Sequence, residues 1–271
     1  MLFVIDVGNS HTVTGLFVDG QLVDKYRMKS DPERTADELA IRYHALFSMT
    51  GIDQAKITGI ILASVVPSLQ SAWIKCCQKH FSANLERPLF VVTKESVKDL
   101  ITVKIDQPDN IGADRLVNAI AGWNQHKGDL IIVDYGTAIT FDCVTKKCEY
   151  IGGTIMPGIG ISMEALSSRT AKLPHIDISE APEKVIGTDT IKAMKSGVMY
   201  GFGSMTDGMI SRIKDEMNYD QSTIKVIATG GMAQIISAYT SGFDWVDPEL
   251  TLKGLQIIHQ LTTKNCLHNE T

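Results

Sequence analysis

The apolar positions of this chain fall into two blocks with the same order. Leu2-Phe3-Val4-Ile5 runs into Asp6-Val7-Gly8-Asn9-Ser10. After these come a second apolar-rich stretch from Thr12 to Phe17, a turn at Asp19-Gly20 and a third stretch from Gln21 to Met28. Leu130-Ile131-Ile132-Val133 starts the second block. It continues through Asp134-Tyr135-Gly136-Thr137-Ala138, Ile139 to Val144, a turn around Lys146-Lys147, and Glu149 to Ile155. Each block predicts a buried strand, an Asp-x-Gly-polar turn, a second strand, a short turn and a third strand. The matching aspartates stand 128 positions apart in a chain of 271 residues. That spacing predicts two related halves, each opening on a β-hairpin unit rather than a β–α unit.

Helical periodicity fills the intervals. Ala36 to Met49 carries Leu39, Ile41, Tyr43 and Leu46-Phe47, and Asp114 to Gln125 forms a second helix entered from the loop at Pro108 to Gly112. The longest predicted helix runs from about Thr190 to Met217, with an apolar face from Ile191 to Ile213. Gly197, Gly201 and Gly203 interrupt it, which predicts close packing or a break. Ile60 to Pro67 and Lys225 to Gly231 read as buried strands ending in tight turns. The sum is a mixed α/β architecture.

Composition narrows the function. An apolar fraction of 44% supports a large core, and a net charge of −5 without a Lys/Arg run argues against nucleic-acid partners. The five cysteines include no CxxC pair and no zinc spacing, which fits free thiols in a reducing compartment. The start of the chain has no signal-peptide pattern, and no apolar run reaches the ~18 residues of a membrane span. The expectation is a cytoplasmic protein without a membrane partner.

The Asp-x-Gly turns carry the first candidate chemistry. Gly8 and Gly136 let backbone amides approach phosphate oxygens, and Asn9, Ser10, Thr12 and Thr137 add donors. An aspartate there is repelled by phosphate, so its partner is a cation or a water bound to one. A single such turn is more often an ordinary strand end; two copies in one context favour nucleotide chemistry. Thr229-Gly230-Gly231 follows a third apolar strand and adds a possible nucleotide contact, whereas neither GxxxxGK[ST] nor a strand-linked GxGxxG occurs. In Pro108-Asp109-Asn110-Ile111-Gly112-Ala113-Asp114-Arg115 an acid and a base adjoin at a helix mouth. Arg115 can pair with a carboxylate and Asp114 can take a proton from a hydroxyl. A surface ion pair worth at most ~1 kcal/mol explains the same residues equally well. His11 sits inside the first loop, where solvent exposure competes with ligand contact. Asp142 either faces the site or occupies an exposed strand position. Cys76, Cys77 and Cys143 read as packing thiols, His175 and His259 lack metal-spaced companions, and the Met-rich face of the long helix reads as core or dimer packing.

Taken together, Asp6-Val7-Gly8-Asn9-Ser10, Gly112-Ala113-Asp114-Arg115, Asp134-Tyr135-Gly136-Thr137-Ala138, Gly152-Gly153 with Pro157-Gly158, and Thr229-Gly230-Gly231 stand in the order found in type III pantothenate kinases. Ala171-Lys172-Leu173-Pro174 and Asp189-Thr190 with Ala193-Met194 and Gly197 also resemble that family, and the likeness extends from Met1 to about Gln260. The resemblance implies duplicated actin-like (ribonuclease H-like) domains with mixed sheets and flanking helices, expected over residues 1–118 and 119–271. It implies ATP-dependent phosphorylation of pantothenate, with Mg²⁺ and a monovalent cation, K⁺ or NH₄⁺. Asp6, Val7, Gly8, Asn9, Ser10, His11, Thr12 and Val13 would form the first phosphate loop, and Thr137, Gly230 and Gly231 would add ATP contacts. Asp134 would bind the monovalent cation and Asp6 would meet Mg²⁺ through water. Gly112, Ala113, Asp114 and Arg115 would hold pantothenate, with Asp114 as proton acceptor and Arg115 near the carboxylate. Thr190 would reach the substrate across a homodimer with shared sites. Ile105 departs from the Tyr that the family often carries there, which puts one substrate hydrogen bond in doubt. Competing expectations are a sugar kinase of the same fold and a non-catalytic regulator.

Overall fold

The computed structural model describes residues 1–177, 182, 184–217 and 223–269, with side chains described up to Thr263. The chain divides into two compact units, the first formed by Met1–Asn124 together with the segment from Leu250, the second by Gln125–Glu249.

In the first unit, β1 (Leu2–Val7), β2 (His11–Val18) and β3 (Gln21–Lys29) form an antiparallel meander. The β2–β3 turn holds Asp19 at φ 49° and Gly20 at φ 83°, the paired left-handed geometry that matches strand twist in tight hairpins. α1 (Ala36–Thr50) then crosses to β4 (Gly59–Ser64), which lies parallel to β1. α2 (Pro67–Cys76) starts on a proline at its first turn and runs into a π-turn at Cys77–Phe81. The short β5 (Phe90–Val91) extends the sheet, giving the order β3-β2-β1-β4-β5. β6 (Thr102–Val103) precedes α3 (Ala113–His126).

Aromatic rings fill the space between this sheet and its helices. Phe3, Tyr43, Phe47, Trp73 and Phe81 are all buried, with Tyr43 and Trp73 edge-to-face at 5.0 Å. Ile41, expected on the apolar stripe of α1, is 69% exposed; the stripe consists of Leu39, Ala40, Tyr43 and Phe47. α1 begins with a reciprocal cap, in which the Glu38 amide donates to Thr35 Oγ1 at 3.3 Å and the Thr35 amide donates to Glu38 Oε2 at 2.8 Å. Thr35→Ala is expected to lower stability by ~1 kcal/mol in urea unfolding. A midpoint unchanged from wild type would show that the cap contributes nothing.

The second unit repeats the plan. β7 (Leu130–Tyr135), β8 (Ala138–Val144) and β9 (Glu149–Pro157) form an antiparallel meander. α4 (Ile159–Ser168) and the long α5 (Thr190–Glu216) follow. β10 (Lys225–Thr229) lies parallel to β7, and after the single turn of α6 (Ala233–Ile236) β11 (Trp245–Val246) pairs with β10. The run β11-β10-β7-β8-β9 therefore has the connectivity of β5-β4-β1-β2-β3. α5 is unbroken through its glycines. Of the alternatives for that stretch, close packing is the one observed, because a Cβ on Gly203 would stand 2.0 Å from the Tyr239 carbonyl oxygen.

The last helix, α7 (Leu250–Asn269), returns to the first unit, where it packs on β1, β2 and β4 with Leu250, Leu252, Leu255 and Ile258 buried. The expected division at 118/119 thus differs from the structure in two ways. Residue 118 falls inside α3, where buried Asn118 Oδ1 accepts a 2.8 Å hydrogen bond from Thr251 Oγ1, and the C-terminal helix belongs with the N-terminal sheet.

Candidate active site

Asp6 stands near the end of β1, opposite Val13 of β2, which is in turn opposite Arg27 of β3. Residues opposite one another share a face of the sheet, so Arg27 lies on the Asp6 side. Lys29, opposite His11, lies on that side as well. The connecting loop closes with the Gly8 amide donating to the His11 carbonyl at 3.1 Å, leaving Asn9, Ser10 and His11 exposed and Val7 and Thr12 buried. Buried Ser30 braces this loop from the end of β3. Its hydroxyl donates to the Gly8 carbonyl at 2.6 Å and lies 3.0 Å from Thr12 Oγ1, while its amide donates to the Ser10 carbonyl at 3.0 Å. His11 is exposed, as the competing reading allowed, and its Nδ1 is 3.0 Å from Arg27 Nη2. Partial burial, then the charges of Arg27 and Lys29, lower its pKa and favour the neutral ring. Ser30, Arg27 and Lys29 escaped the sequence reading because they sit outside the Asp-x-Gly motif, on a strand whose alternation shows only two faces.

The second hairpin closes in the same way but one residue shorter, with the Gly136 amide donating to the Ala138 carbonyl at 3.1 Å. Thr137 is half-buried, and its carbonyl accepts from the Gly158 amide at 3.1 Å where α4 begins. Asp134 lies between Thr229 on parallel β10 and Thr140 on antiparallel β8. Gly230 adopts φ 90°, and a Cβ there would fall 2.5 Å from Asp134 Oδ1 and 2.6 Å from the Tyr135 amide nitrogen. The Asp134 carboxylate therefore packs directly against Gly230, while Gly231 is exposed beside it. Burial pushes the Tyr135 hydroxyl up to about 12, and this hydroxyl bonds Thr206 in the middle of α5, tying the turn to the long helix. Asp142 is fully buried, which removes its reading as an exposed strand position. Its Oδ2 accepts from Thr140 Oγ1 at 2.9 Å and its Oδ1 from the Tyr150 hydroxyl at 2.7 Å.

Asp114 begins α3 in the first unit. Its Oδ1 accepts from the Arg115 amide at 2.8 Å and lies so close over Gly112 that a Cβ there would stand 2.4 Å away. The same Cβ would lie 3.5 Å from Val65 Cγ1, and the Val65 amide donates to the Val7 carbonyl at 3.0 Å. Gly112 and the start of α3 thus sit at the end of β1 and β4 that also carries Asp6, the carboxyl end of parallel strands where α/β folds place ligands. Burial raises the pKa of Asp114; the Arg115 amide and charge oppose that shift without cancelling it. Ala113 is buried and Arg115 half-buried. Thr190 opens α5 beside its cap Asp189 and lines an apolar cavity of about 550 Å³ with Ser162, Leu166, Leu173, Met194 and Phe202.

The cysteine reading stands for the described side chains: Cys76, Cys77, Cys143 and Cys148 are free and buried, and burial lifts the Cys76 and Cys148 thiols to about 12 and about 11. The side chain of Cys266 lies outside the described residues. Among the described residues no cluster of three or more His, Cys, Asp or Glu could enclose a metal, and no helix is long and apolar enough to cross a membrane.

A duplicated three-stranded meander with an acid at each strand end, each extended by two parallel strands, defines an actin-like fold of the kind found in small-molecule kinases. The sequence profile of the type III pantothenate kinase family matches residues 2–212. A type III pantothenate kinase of Desulfotalea psychrophila is 52% identical over 265 residues, covering 97% of this chain and all of that protein. The chain belongs to the type III pantothenate kinase family. Solved structures agree on the fold. A Campylobacter jejuni protein described as a conserved Baf family transcriptional activator aligns with TM-score 0.58 at 18% identity, over 97% of this chain and 99% of its own. A Sinorhizobium meliloti protein described as a 2-dehydro-3-deoxygalactonokinase aligns with TM-score 0.55 at 11% identity, over 96% of each chain.

Proposed function

We propose that this chain transfers the terminal phosphoryl group of ATP to the primary hydroxyl of pantothenate, giving 4′-phosphopantothenate at the entry to coenzyme A synthesis. The observation that carries the reading is the Gly112-Ala113-Asp114-Arg115 loop. Its carboxylate is desolvated, made more basic than an ordinary aspartate, and set over a glycine at a helix start. Such a group suits the hydroxyl proton that leaves as the phosphoryl group arrives, and Arg115 beside it suits the substrate carboxylate. The amides and hydroxyls of Asn9, Ser10 and Thr137 bind phosphate oxygens, while Gly8 and Thr12, whose donors are held by the His11 carbonyl and by Ser30, shape the first loop from Asp6 to Val13, and Gly230-Gly231 lies toward the nucleotide. Phosphoryl transfer depends mainly on such positioning and on charge neutralisation, because its transition state is loose.

The donor set fits the expected cations. Hard cations of this class take one or two carboxylates and complete their shell with phosphate and water oxygens, and each Asp-x-Gly turn offers one carboxylate, Asp6 or Asp134, at the end of its strand. Asp134 would hold the monovalent cation and Asp6 would serve Mg²⁺, and the charge these cations supply would offset that of the phosphates. Thr190 reaches the substrate of a second copy in a homodimer. Support comes from its open apolar cavity and from Ile161, Leu166 and Ile191, exposed at 46%, 39% and 49%. Four buried free thiols support a cytoplasmic setting.

A coupled ADP-release assay tests the whole reading. Turnover is expected only with pantothenate present, and to fall when K⁺ is replaced by a large organic cation. ADP release with sugars but not pantothenate would move the chain to another kinase class. No ATP turnover under any of these conditions would favour a regulator.

A further inference from the structure

We propose that Thr140 is a second oxygen ligand of the cation at Asp134, and that buried Asp142, clamped by Tyr150, aims it. The inference rests on the reading of Asp134 as a cation ligand and adds residues to it.

Asp134 and Thr140 stand directly opposite in the β7–β8 register, so their side chains share one face with Cβ atoms ~4.5–5.5 Å apart. Both are half-buried at the turn end of the hairpin. Two residues further into β8, on that same face, Asp142 is 0% exposed. A carboxylate so deep is retained only where hydrogen bonds replace water. Its Oδ2 takes the Thr140 hydroxyl proton at 2.9 Å, and its Oδ1 takes that of Tyr150, 1% exposed on neighbouring β9, at 2.7 Å.

A threonine hydroxyl has one proton and two lone pairs. With the proton committed to Asp142, Thr140 Oγ1 presents only lone pairs elsewhere, as a hard cation requires. Its cross-strand neighbours are Ile155 on β9 and Asp134 on β7, and Asp134 is the one that brings an oxygen, so the two side chains form a mixed carboxylate–hydroxyl pair. Asp142 then does for Thr140 what a carboxylate does for a metal-bound histidine, fixing which atom carries the proton and where the lone pair points. An Asp142 that served only to pack the sheet would influence stability without influencing cation affinity.

The test is a thermal-unfolding titration of the full chain against KCl. Choline chloride holds ionic strength constant, and Mg²⁺ with a non-hydrolysable ATP analogue is present throughout. Wild type is expected to gain stability with K⁺ by mass action, and Asp134→Asn to lose the response. Thr140→Val is expected to shift the K⁺ midpoint upward by ~10–100-fold, Thr140→Ser to keep it near wild type, and Tyr150→Phe to move it in the Thr140→Val direction by a smaller factor. Tyr150→Phe spares the buried carboxylate and so guards against a variant that fails to fold. If Asp134→Asn abolishes the response while Thr140→Val and Tyr150→Phe keep the wild-type midpoint, the role of Thr140 and Asp142 is overturned and the cation site stands. If wild type does not respond, or Asp134→Asn responds normally, the cation reading itself fails and takes this inference with it.

Discussion

Asp114→Asn is expected to remove most turnover while making the protein more stable at neutral pH. The carboxylate is desolvated where α3 begins, and burial raises its pKa against the opposing Arg115 amide and charge. A carboxyl whose folded pKa exceeds its unfolded value favours folding when protonated. That contribution is complete below the unfolded pKa and is lost as pH rises through the folded one. At pH 7 the ionised side chain therefore opposes folding, and asparagine, of nearly the same shape, relieves the cost. The gain in melting temperature should shrink as pH falls into the ordinary carboxylate range, where wild type is protonated too. Turnover should fall by ~10²–10⁴-fold, the usual worth of a positioned base, while stabilisation by ATP survives. The acid limb of the wild-type kcat/KM profile should lie above the ordinary aspartate range and vanish in the variant. Wild-type turnover in Asp114→Asn would remove this residue from the chemistry.

Gly230→Ala is the second large effect. φ 90° is a conformation that side chains rarely adopt, costing ~1–3 kcal/mol for a non-glycine residue. The added methyl would also meet Tyr135 backbone atoms at 2.6 Å and Asp134 Oδ1 at 2.5 Å. Tyr135 lies in a central strand with its side chain held at Thr206, so the obstacle cannot swing aside. Urea unfolding should show a loss exceeding the backbone strain alone, and any folded fraction should have lost its response to K⁺. Gly112→Ala makes the informative contrast. There the nearest obstacle, at 2.4 Å, is the end of the Asp114 side chain, which can rotate away. Stability should change little while turnover drops. Near-wild-type stability and activity in Gly230→Ala would refute the packing described at Asp134.

The hairpins were legible because β1 and β7 are buried on both faces and read as continuous apolar runs, each ending in the same polar turn. Sequence alone placed β1 to β3 and β7 to β9 within a few residues of their observed bounds. α2, α4 and α7 were not legible. Pro67 opens α2 and reads as a strand end, and the partners that bury one side of α7 lie over a hundred residues away in sequence. Asp142 shows the limit in the candidate site. An Asp two residues after a Thr in a strand looks the same whether water or a tyrosine hydroxyl from the next strand satisfies it, and only the β8–β9 register decides. Ser30 was missed for the same reason, since its hydrogen bonds reach back about twenty residues to Gly8 and Thr12.

The return of α7 to the N-terminal sheet makes the second unit an insertion within the first. On a ribosome, the sheet that emerges earliest must wait for its covering helix until the whole inserted unit has been synthesised. Domains usually mature in the order of their emergence; here the unit begun first is the last one finished. Chains truncated after Glu249 and released from the ribosome should therefore carry a protease-resistant inner unit and an N-terminal sheet whose α7-facing apolar surface is still bare.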